Sequence, residues 1–418
     1  MNSLRIMNVE RVWVSLPFKP RHGRHLTRES PNRKVYEILR VQTNSKLVGI
    51  GETNCYYTWG KVTDEQIERV IGRSPFEFLW DDALGAGLQM AIYDLVGKAL
   101  DVPIYKILGP KVRDWCPVFW WVNDMPAEDW IEEMKEALSL GYMGAKIKAR
   151  PWRDFAAIVE KMSAVVPSDF RFDADFNGFL LDAGTAAPYL LELEKIPGMD
   201  IFESPIPQGD VEGNKLLRHK INHPIAMHYG NPPIQTAIRD EVCDGFVISG
   251  GAQAIRRQAA LAAQMNKPFW LQMVGTGLTT ALMLHFAATL SHARWPAITC
   301  HEIYEDDLLK ERIAVRHGFA HVPEAPGLGV ELDQEAVERY RVEEGFDPPP
   351  PRNLYRVVWP CGASVLYPVG LTGVRADFPA RRQPVFHRGV RLEIVPDDGS
   401  DEWDALFERV MEAPIREA

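Results

Sequence analysis

The alternation of apolar and polar residues predicts short β-strands at the beginning of the chain. Residues 12–14, 34–42 and 46–52 are rich in β-branched residues and alternate in polarity, which is typical of strands. The polar and basic segment 17–33 separates the first two strands and is predicted to be a mobile loop. Residues 83–100 instead carry apolar residues at helical spacing, and their small side chains indicate close packing against another helix.

A repeat begins at residue 117, where strand-like apolar runs start to recur about every 25 residues. Most runs are followed by an amphipathic helical stretch, of which 130–138 and 254–265 are examples. Eight such units predict a (β/α)8 barrel of the TIM type. An open doubly wound sheet would need a glycine-rich phosphate turn after its first strand, and the sequence has none. The eight runs start near residues 117, 144, 169, 200, 224, 244, 268 and 297.

A small extension follows the repeat. Four consecutive prolines at 348–351 indicate a stiff, extended linker. After this linker, residues 355–359 and 390–395 predict strands, and residues 402–410 predict a short helix. The end of the chain is therefore expected to add a small unit with both kinds of element.

The charge balance and the cysteines narrow the class of protein. The chain of 418 residues has 47 Lys and Arg against 57 Asp and Glu, a net charge of −10. This balance argues against a general nucleic-acid binder, but it leaves room for a small anionic substrate at a local cluster of lysines. Five scattered cysteines without a CxxC pair favour a reduced, cytoplasmic setting. No signal peptide or membrane span is predicted, since even the most apolar stretch, 269–290, contains Gly, Thr and His residues.

Two lysines at the end of the second predicted strand are candidates for acid–base chemistry. Lys146 and Lys148 are two residues apart and therefore share one face of the strand, which points them into the barrel mouth. Two solvated surface lysines are the alternative interpretation, which the small and apolar neighbours make weaker. Close ammonium groups lower one another's pKa, so that one lysine could accept a proton near neutral pH.

The next three predicted strands end in groups that could bind a metal. Asp173, Glu203 and His228 follow one another at intervals of one β–α unit, and Asp175 shares the face of Asp173. Carboxylates suit Mg²⁺, while an imidazole extends the choice to Mn²⁺, Fe²⁺ or Zn²⁺. A helix N-cap or a surface charge remains possible for a single acid, and a hydrogen-bonded structural histidine remains possible for His228.

The combination of these motifs resembles the enolase superfamily, of the mandelate racemase and muconate-lactonizing enzyme type. The similarity extends from about residue 5 to residue 343, and its most specific part is Lys-x-Lys with an Asp and a Glu one unit apart. The matching segments are 49–52, 93–100, 103–109, 144–148, 172–175, 202–205, 250–251 and 326–330.

The resemblance implies an α/β fold with an α+β capping domain over a modified (β/α)7β barrel. The capping domain would comprise residues 1–115, completed by about 323–345, with the barrel at 116–322 and the extension at 346–418. In this family a divalent metal, most often Mg²⁺, holds the carboxylate of a small anionic substrate while a base removes the α-proton to give an enediolate. Homo-oligomers are common in the family, so a homo-oligomer is expected.

The resemblance also assigns residue roles by position. Asp173 and Glu203 correspond to the first two metal ligands, with His228 at the place of the third. Lys148 corresponds to the base, and Lys146 to the neighbour that lowers its pKa and touches the substrate carboxylate. The segment 17–33 corresponds to a specificity loop, in which the expected substrate contacts are His22, His25 and Arg28.

The chain departs from the family pattern on the opposite catalytic face. The fifth strand ends in His228 and Tyr229 instead of acidic residues, and no acid or base follows the sixth or seventh strand at the family position. Residues after the eighth strand could compensate: His301 and Tyr304 as acid–base groups, and Glu302, with Tyr229, as substrate contacts.

One intact face and one rebuilt face favour a dehydratase of an acid sugar or another hydroxy acid. A racemase needs bases on both faces, whereas a syn elimination can use a single base whose conjugate acid assists the departure of hydroxide. Two alternatives stay open: a racemase, epimerase or cycloisomerase on the same scaffold, and a degenerate barrel that binds ligands without turnover.

Overall fold

An antiparallel sheet forms the first part of the molecule, with a long helix packed across it. The computed structural model describes residues 4–57, 59–369 and 373–417. The glycines of the segment 49–52 allow a close approach of sheet and helix, because a Cβ added at Gly51 would lie 2.0 Å from the carbonyl oxygen of Gly87. The strands are β1 (Ile6–Ser15), β2 (Val35–Thr43) and β3 (Val48–Asn54), and the helices are α1 (Pro20–Glu29), α2 (Asp64–Glu68), α3 (Ala86–Leu100) and α4 (Tyr105–Leu108).

Helix α1 corrects the prediction of a mobile loop at 17–33. Pro20 stands at the first helical position, where its fixed φ suits a helix start. The helix buries His22 and Leu26. Glu133, on the first helix of the barrel, is also buried and binds the ring of His22, with 2.9 Å between Nε2 and Oε2. The buried side of α1 is thus held by polar contacts, so the helix lacks the apolar stripe by which such a segment is recognised in a sequence.

A curled parallel sheet forms the predicted barrel. Seven strands pair side by side in the order β11-β10-β9-β8-β7-β6-β5. The eighth predicted run closes the circle through two isolated backbone bridges, between Val118 and Ala297 and between Gln272 and Ile298. The seven strands are β5 (Trp120–Val122), β6 (Gly144–Lys148), β7 (Arg171–Asp175), β8 (Met199–Glu203), β9 (Ile225–His228), β10 (Gly245–Ile248) and β11 (Phe269–Leu271). Strand β4 (Trp115–Pro117) precedes them and lies outside this sheet.

Helices cover the outside of this sheet, as the repeat predicts. They are α5 (Ala127–Ser139), α6 (Phe155–Ser163), α7 (Ala183–Leu193), α8 (Val211–Lys220), α9 (Ile234–Arg239), α10 (Ala252–Gln264) and α11 (Gly277–Thr289). Within the described ranges, no helix is long and apolar enough to cross a membrane.

After the barrel the chain returns to the first sheet. Strand β14 pairs antiparallel with β1, next to the predicted start of the extension. The elements of this return are β12 (Val315–Arg316), β13 (Phe319–His321), α12 (Gln334–Arg339) and β14 (Arg341–Val342).

The extension folds into a second antiparallel sheet with two different faces. Leu354 and Leu366 pack on one face against a helix, whereas Tyr355 and Tyr367 on the other face belong to the main core. This alternation follows from the two-residue period of a strand. The elements are β15 (Asn353–Val358), β16 (Ser364–Pro368), α13 (Gly373–Asp377), β17 (Arg391–Pro396), α14 (Asp401–Glu412) and β18 (Ile415–Glu417), with strand order β17-β15-β16-β18.

The extension covers the segments that follow β6 and β7. Phe386 contacts Phe176, with ring centroids 5.5 Å apart, and Phe378 contacts Trp152 at 5.7 Å. Trp152 follows β6 closely, and Phe176 is the residue after β7. The two strand ends that carry Lys148 and Asp175 therefore lie beneath the extension.

Asp154 joins the extension to the barrel, and its replacement tests how much this contact stabilises the fold. Its side chain caps α6 at the amide of Ala157 (3.1 Å) and also accepts the amide of Gly389 (2.7 Å). We expect Asp154→Ala to lower the free energy of unfolding by about 2 kcal/mol, as the sum of a lost cap and a lost hydrogen bond. Asp210→Ala, which removes only the cap of α8, should cost about 1 kcal/mol in the same urea titration. Equal losses in the two variants would contradict a stabilising role of the Gly389 contact.

Candidate active site

The two lysines of β6 meet acidic groups of the neighbouring strands at the barrel mouth. Lys148 and Asp175 are paired in the strand register, and so are Asp175 and Glu203. The Nζ of Lys148 contacts Oδ2 of Asp175, and the Nζ of Lys146 contacts Oε2 of Glu203. Lys146 also donates a hydrogen bond of 2.5 Å to Oε1 of Gln272, just after β11. The lumen thus brings together groups from four strand ends.

The two lysines have different electrostatic environments. Burial lowers the pKa of Lys148, and the charges of Lys146 and Arg150 add to this effect against the opposing carboxylate of Asp175. For Lys146, burial alone would lower the pKa, but the charges of Glu203 and Asp175 raise it above its ordinary value. The environment therefore keeps Lys146 as an ammonium ion and makes Lys148 the better proton acceptor.

Asp175 lies where the sequence analysis placed Asp173. Asp173 is paired with Lys146 and Ile201, one layer below the level of Lys148 and Glu203. Its Oδ1 has no hydrogen-bond partner among the described residues. Burial, together with the charge of Asp200, raises the pKa of Asp173 well above its ordinary value, which favours the neutral acid. Asp173 interacts electrostatically with Glu203 from one layer below, and its role as a metal ligand stays a prediction. Asp175 is the acid that is paired with Glu203 in the strand register.

The end of β9 brings one more predicted residue to the site. His228 lies beside Glu203, with 3.1 Å between Nε2 and Oε1, and its side chain is 39 % exposed. Tyr229 points away from this pair and packs edge-on against Phe246, with ring centroids 5.5 Å apart. The predicted neighbourhood of Glu203 and His228 is thus present, while Tyr229 is held in a packing contact.

The donor groups do not form the predicted three-ligand metal site. Among the residues that the structure describes, no three His, Cys, Asp or Glu side chains lie close enough together to hold a metal ion. Glu203 and His228 form a pair, but Asp173 lies in a lower layer and Asp175 is engaged by Lys148. The ammonium group of Lys146 contacts Glu203 and lies 3.8 Å from Asp175, between the two carboxylates that a metal ion would share. The arrangement does not fit a divalent ion held by these residues.

Residues after the eighth predicted strand face away from the lysines. His301 and Glu302 line a separate cavity of about 730 Å³, and Nδ1 of His301 lies 2.9 Å from the hydroxyl of Thr299. The hydroxyl of Tyr304 donates to the carbonyl oxygen of Arg33 at 2.9 Å. The predictions of His301 and Tyr304 as acid–base groups, and of Glu302 as a substrate contact, are therefore not supported by their positions.

The predicted substrate contacts on α1 are engaged elsewhere. The ring of His22 is held by Asn123 (2.8 Å) and by a carboxylate of α5. His25 lies 2.7 Å from Oδ2 of Asp129, also on α5, and Arg28 lies near Tyr355 of the extension. These side chains hold α1 against its neighbours, and their role as substrate contacts of a specificity loop stays a prediction.

The backbone conformation of Cys300 has no signal in the sequence. Cys300 adopts a left-handed φ of 62°. Burial raises the pKa of its thiol to about 11, although the nearby charge of Arg33 opposes this effect, so the thiol stays neutral. A left-handed non-glycine residue is uncommon and could not be read from the sequence.

A cavity of about 310 Å³ connects the first sheet to the barrel mouth. Gln272, which binds Lys146, forms part of its wall. The other lining groups come from the end of β3, from the residues after β10 and β11 and from α3 and α11. Most of them are neutral or apolar, with Glu52 and Asp82 as carboxylates among them. They include Thr53, Trp59, Met90, Ser249, Met273 and Phe286. A small molecule in this cavity would reach the lysines from the side of the first sheet.

Known proteins share both the sequence and the fold. The family model described as Enolase C-terminal domain-like matches residues 129–336. D-xylonate dehydratase of Haloferax volcanii is 26 % identical over 364 residues, which cover 73 % of this chain and 85 % of that protein. D-galactonate dehydratase of Variovorax paradoxus is 28 % identical, with 79 % of this chain and 95 % of that protein covered. Chloromuconate cycloisomerase of Cupriavidus pinatubonensis is 23 % identical, with 72 % and 90 % covered.

A solved structure supports the same assignment at the level of the fold. Muconate cycloisomerase from Pseudomonas fluorescens superposes with a TM-score of 0.67 at 22 % identity, covering 81 % of this chain and 99 % of that one. The α/β fold with a barrel is thereby confirmed, and the relatives support an enzyme. The chain belongs to the enolase superfamily, as a member of the mandelate racemase and muconate-lactonizing enzyme type.

Proposed function

We propose that the enzyme abstracts the α-proton of a carboxylate substrate and then eliminates water, as a dehydratase of an acid sugar or another hydroxy acid. Lys148, as the free amine, takes the proton from the carbon next to the carboxylate. The N–H groups of Lys146 face the carboxylate oxygens on which negative charge develops. The position of both lysines on one side of the lumen, beside Asp175 and Glu203, supports these roles.

The acid–base groups lie on one side of the lumen, and this arrangement is the reason to propose elimination instead of racemisation. On the opposite side, residues 245–251 and 269–275, all of them described, contain no Asp, Glu, His, Lys or Arg. Gln272, Ser249 and the neutral thiol of Cys300 are among the polar groups there. A racemase would need a second base at this position.

Elimination can proceed with Lys148 alone. The proton of the α-carbon forms an N–H bond on Lys148, and the electron pair of the C–H bond enters the enediolate. Collapse of the enediolate then expels the β-hydroxyl group, which takes the proton back from Lys148 and leaves as water. The resulting enol becomes a 2-keto acid, so that protons and electrons balance with one catalytic residue. The dehydratases among the relatives agree with this reaction class.

A cycloisomerase is the second candidate, because the cavity in front of the lysines is largely apolar. Trp59, Met90, Met273 and Phe286 would suit a substrate with an unsaturated hydrocarbon part better than a fully hydroxylated chain. Cycloisomerases are also present among the relatives. A cycloisomerase would use Lys148 for proton transfer without loss of water.

Incubation in D₂O with a panel of carboxylates distinguishes the candidates. The panel contains five- and six-carbon aldonic acids, N-acylated amino acids and muconates, with product analysis by NMR and a colour test for 2-keto acids. We expect a 2-keto acid to form from at least one aldonic acid, together with deuterium in the product. Deuterium exchange without loss of water would favour an isomerase, and lactone formation from a muconate would favour a cycloisomerase. Absence of turnover and exchange across the panel would contradict the proposal.

A further inference from the structure

We propose that the ammonium group of Lys146 takes the place of the divalent cation at Glu203, so that this chain stabilises its enediolate with a fixed lysine. The inference goes beyond the proposed function and shares its substrate class. Lys146 is 1 % exposed, and its Nζ contacts Glu203, hydrogen-bonds Gln272 at 2.5 Å and lies 5.2 Å above the ring of Trp270. Each of these contacts fixes a positive group at one point of the lumen.

The charges around this point balance without a metal ion. The Nζ of Lys146 contacts Glu203 and the Nζ of Lys148 contacts Asp175, so each of these two carboxylates already faces the amine of a lysine. A divalent ion would add two positive charges next to a buried ammonium group, where repulsion is only weakly screened. The ammonium group of Lys146 and a metal ion therefore exclude one another at Glu203. The contacts of Lys146 favour the lysine at this place.

The available ligands also favour the lysine. A third acidic side chain would add the charge and the oxygen atoms that Mg²⁺ prefers. At this place the chain has His228, which brings no negative charge, while Asp173 lies a layer deeper in the strand register. Glu203 thus lies beside His228 at the mouth, and Lys146 contacts it.

Metal binding without substrate tests this inference directly. Mn²⁺ and Mg²⁺ are titrated by calorimetry into the full chain, into Lys146→Gln, into Glu203→Gln and into the double variant. Lys161→Gln, which removes an exposed lysine on α6, controls for the loss of one charge. Circular dichroism and melting curves show whether each variant is folded, and Lys146→Met replaces Lys146→Gln if the glutamine variant does not fold.

We expect the natural sequence to bind Mn²⁺ at Glu203 more weakly than about 1 mM. Removal of the ammonium group should strengthen binding at least tenfold, and Glu203→Gln should abolish this gain. Lys161→Gln should leave the affinity unchanged. Metal binding that persists in Glu203→Gln takes place at another site. Such a result is consistent with Lys146 as the cation at Glu203.

Two results would overturn the inference. One is micromolar binding of one metal ion by the natural sequence that is lost in Glu203→Gln. The other is a folded Lys146 variant without any gain in affinity. Neither depends on turnover, so a failure of the proposed dehydration leaves this test intact. Conversely, tight metal binding at Glu203 would overturn the role of Lys146 and leave the proposed proton abstraction by Lys148 standing.

Discussion

Replacement of Lys148 with alanine is expected to reduce α-proton exchange and loss of water by about 10²–10⁴-fold, the usual contribution of a general base. The reason is that burial and the charges of Lys146 and Arg150 lower the pKa of Lys148, which makes it the better proton acceptor at the mouth. Rates of deuterium incorporation and of 2-keto acid formation measure the effect. Lys161→Ala on the exposed side of α6 serves as the matched control and should keep full activity.

A second variant separates the loss of the base from a loss of structure. Lys148→Arg keeps a positive charge beside Asp175, but a guanidinium group does not give up its proton at neutral pH. We expect this variant to melt within a few degrees of the natural sequence and to be about as inactive as the alanine variant. Retention of more than a tenth of the activity in Lys148→Arg would show that another group accepts the proton.

The sequence predicted the barrel and its lysines because both depend on short-range patterns. A strand–helix repeat of nearly constant length identifies the barrel, and the two-residue period of a strand places Lys146 and Lys148 on one face. The same period cannot distinguish Asp173 from Asp175, since both share a face of β7. Their levels depend on the register with β8, which shifts at Phe172 and Asp173 through an irregularity that has no sequence signal.

Long-range contacts decide where the other predicted site residues lie. His301, Glu302 and Tyr304 follow Cys300, which has a left-handed backbone conformation. Sequence patterns do not reveal such a conformation at a non-glycine residue. The metal site predicted from Asp173, Glu203 and His228 likewise depends on side chains that meet across strands, where Lys146 contacts Glu203, and it stays a prediction.

Helix α1 shows the same limit and leads to the second large effect. Its buried partner is Glu133 of α5, which accepts hydrogen bonds from Arg21 (2.6 Å), His22 (2.9 Å) and Trp120 (2.9 Å). One buried carboxylate therefore joins α1, α5 and the first strand of the parallel sheet. Burial alone would raise the pKa of Glu133, but the hydrogen bonds and charges of His22 and Arg21 outweigh it and lower the pKa to about 2.

Glu133→Gln is accordingly expected to lower the free energy of unfolding by about 3 kcal/mol at pH 7. This is the lower end of the range for a broken buried ion pair, because Arg21 is 27 % exposed and stays partly hydrated. Glu136→Gln provides the matched control on the same helix. Glu136 pairs with Lys19 and Arg21 but is itself 27 % exposed, so its loss should cost at most about 1 kcal/mol.

The pH dependence gives the sharper test of Glu133. A carboxyl group whose pKa is lower in the folded than in the unfolded state binds fewer protons when folded, so its contribution to stability is present above its ordinary pKa of 4.5. That contribution is lost as the pH falls from 4.5 toward about 2. Urea titrations between pH 7 and pH 3 should therefore show the natural sequence losing stability faster than Glu133→Gln, so that the two curves converge. Curves that stay parallel over this range would show that Glu133 is not the carboxylate that holds α1 on the barrel.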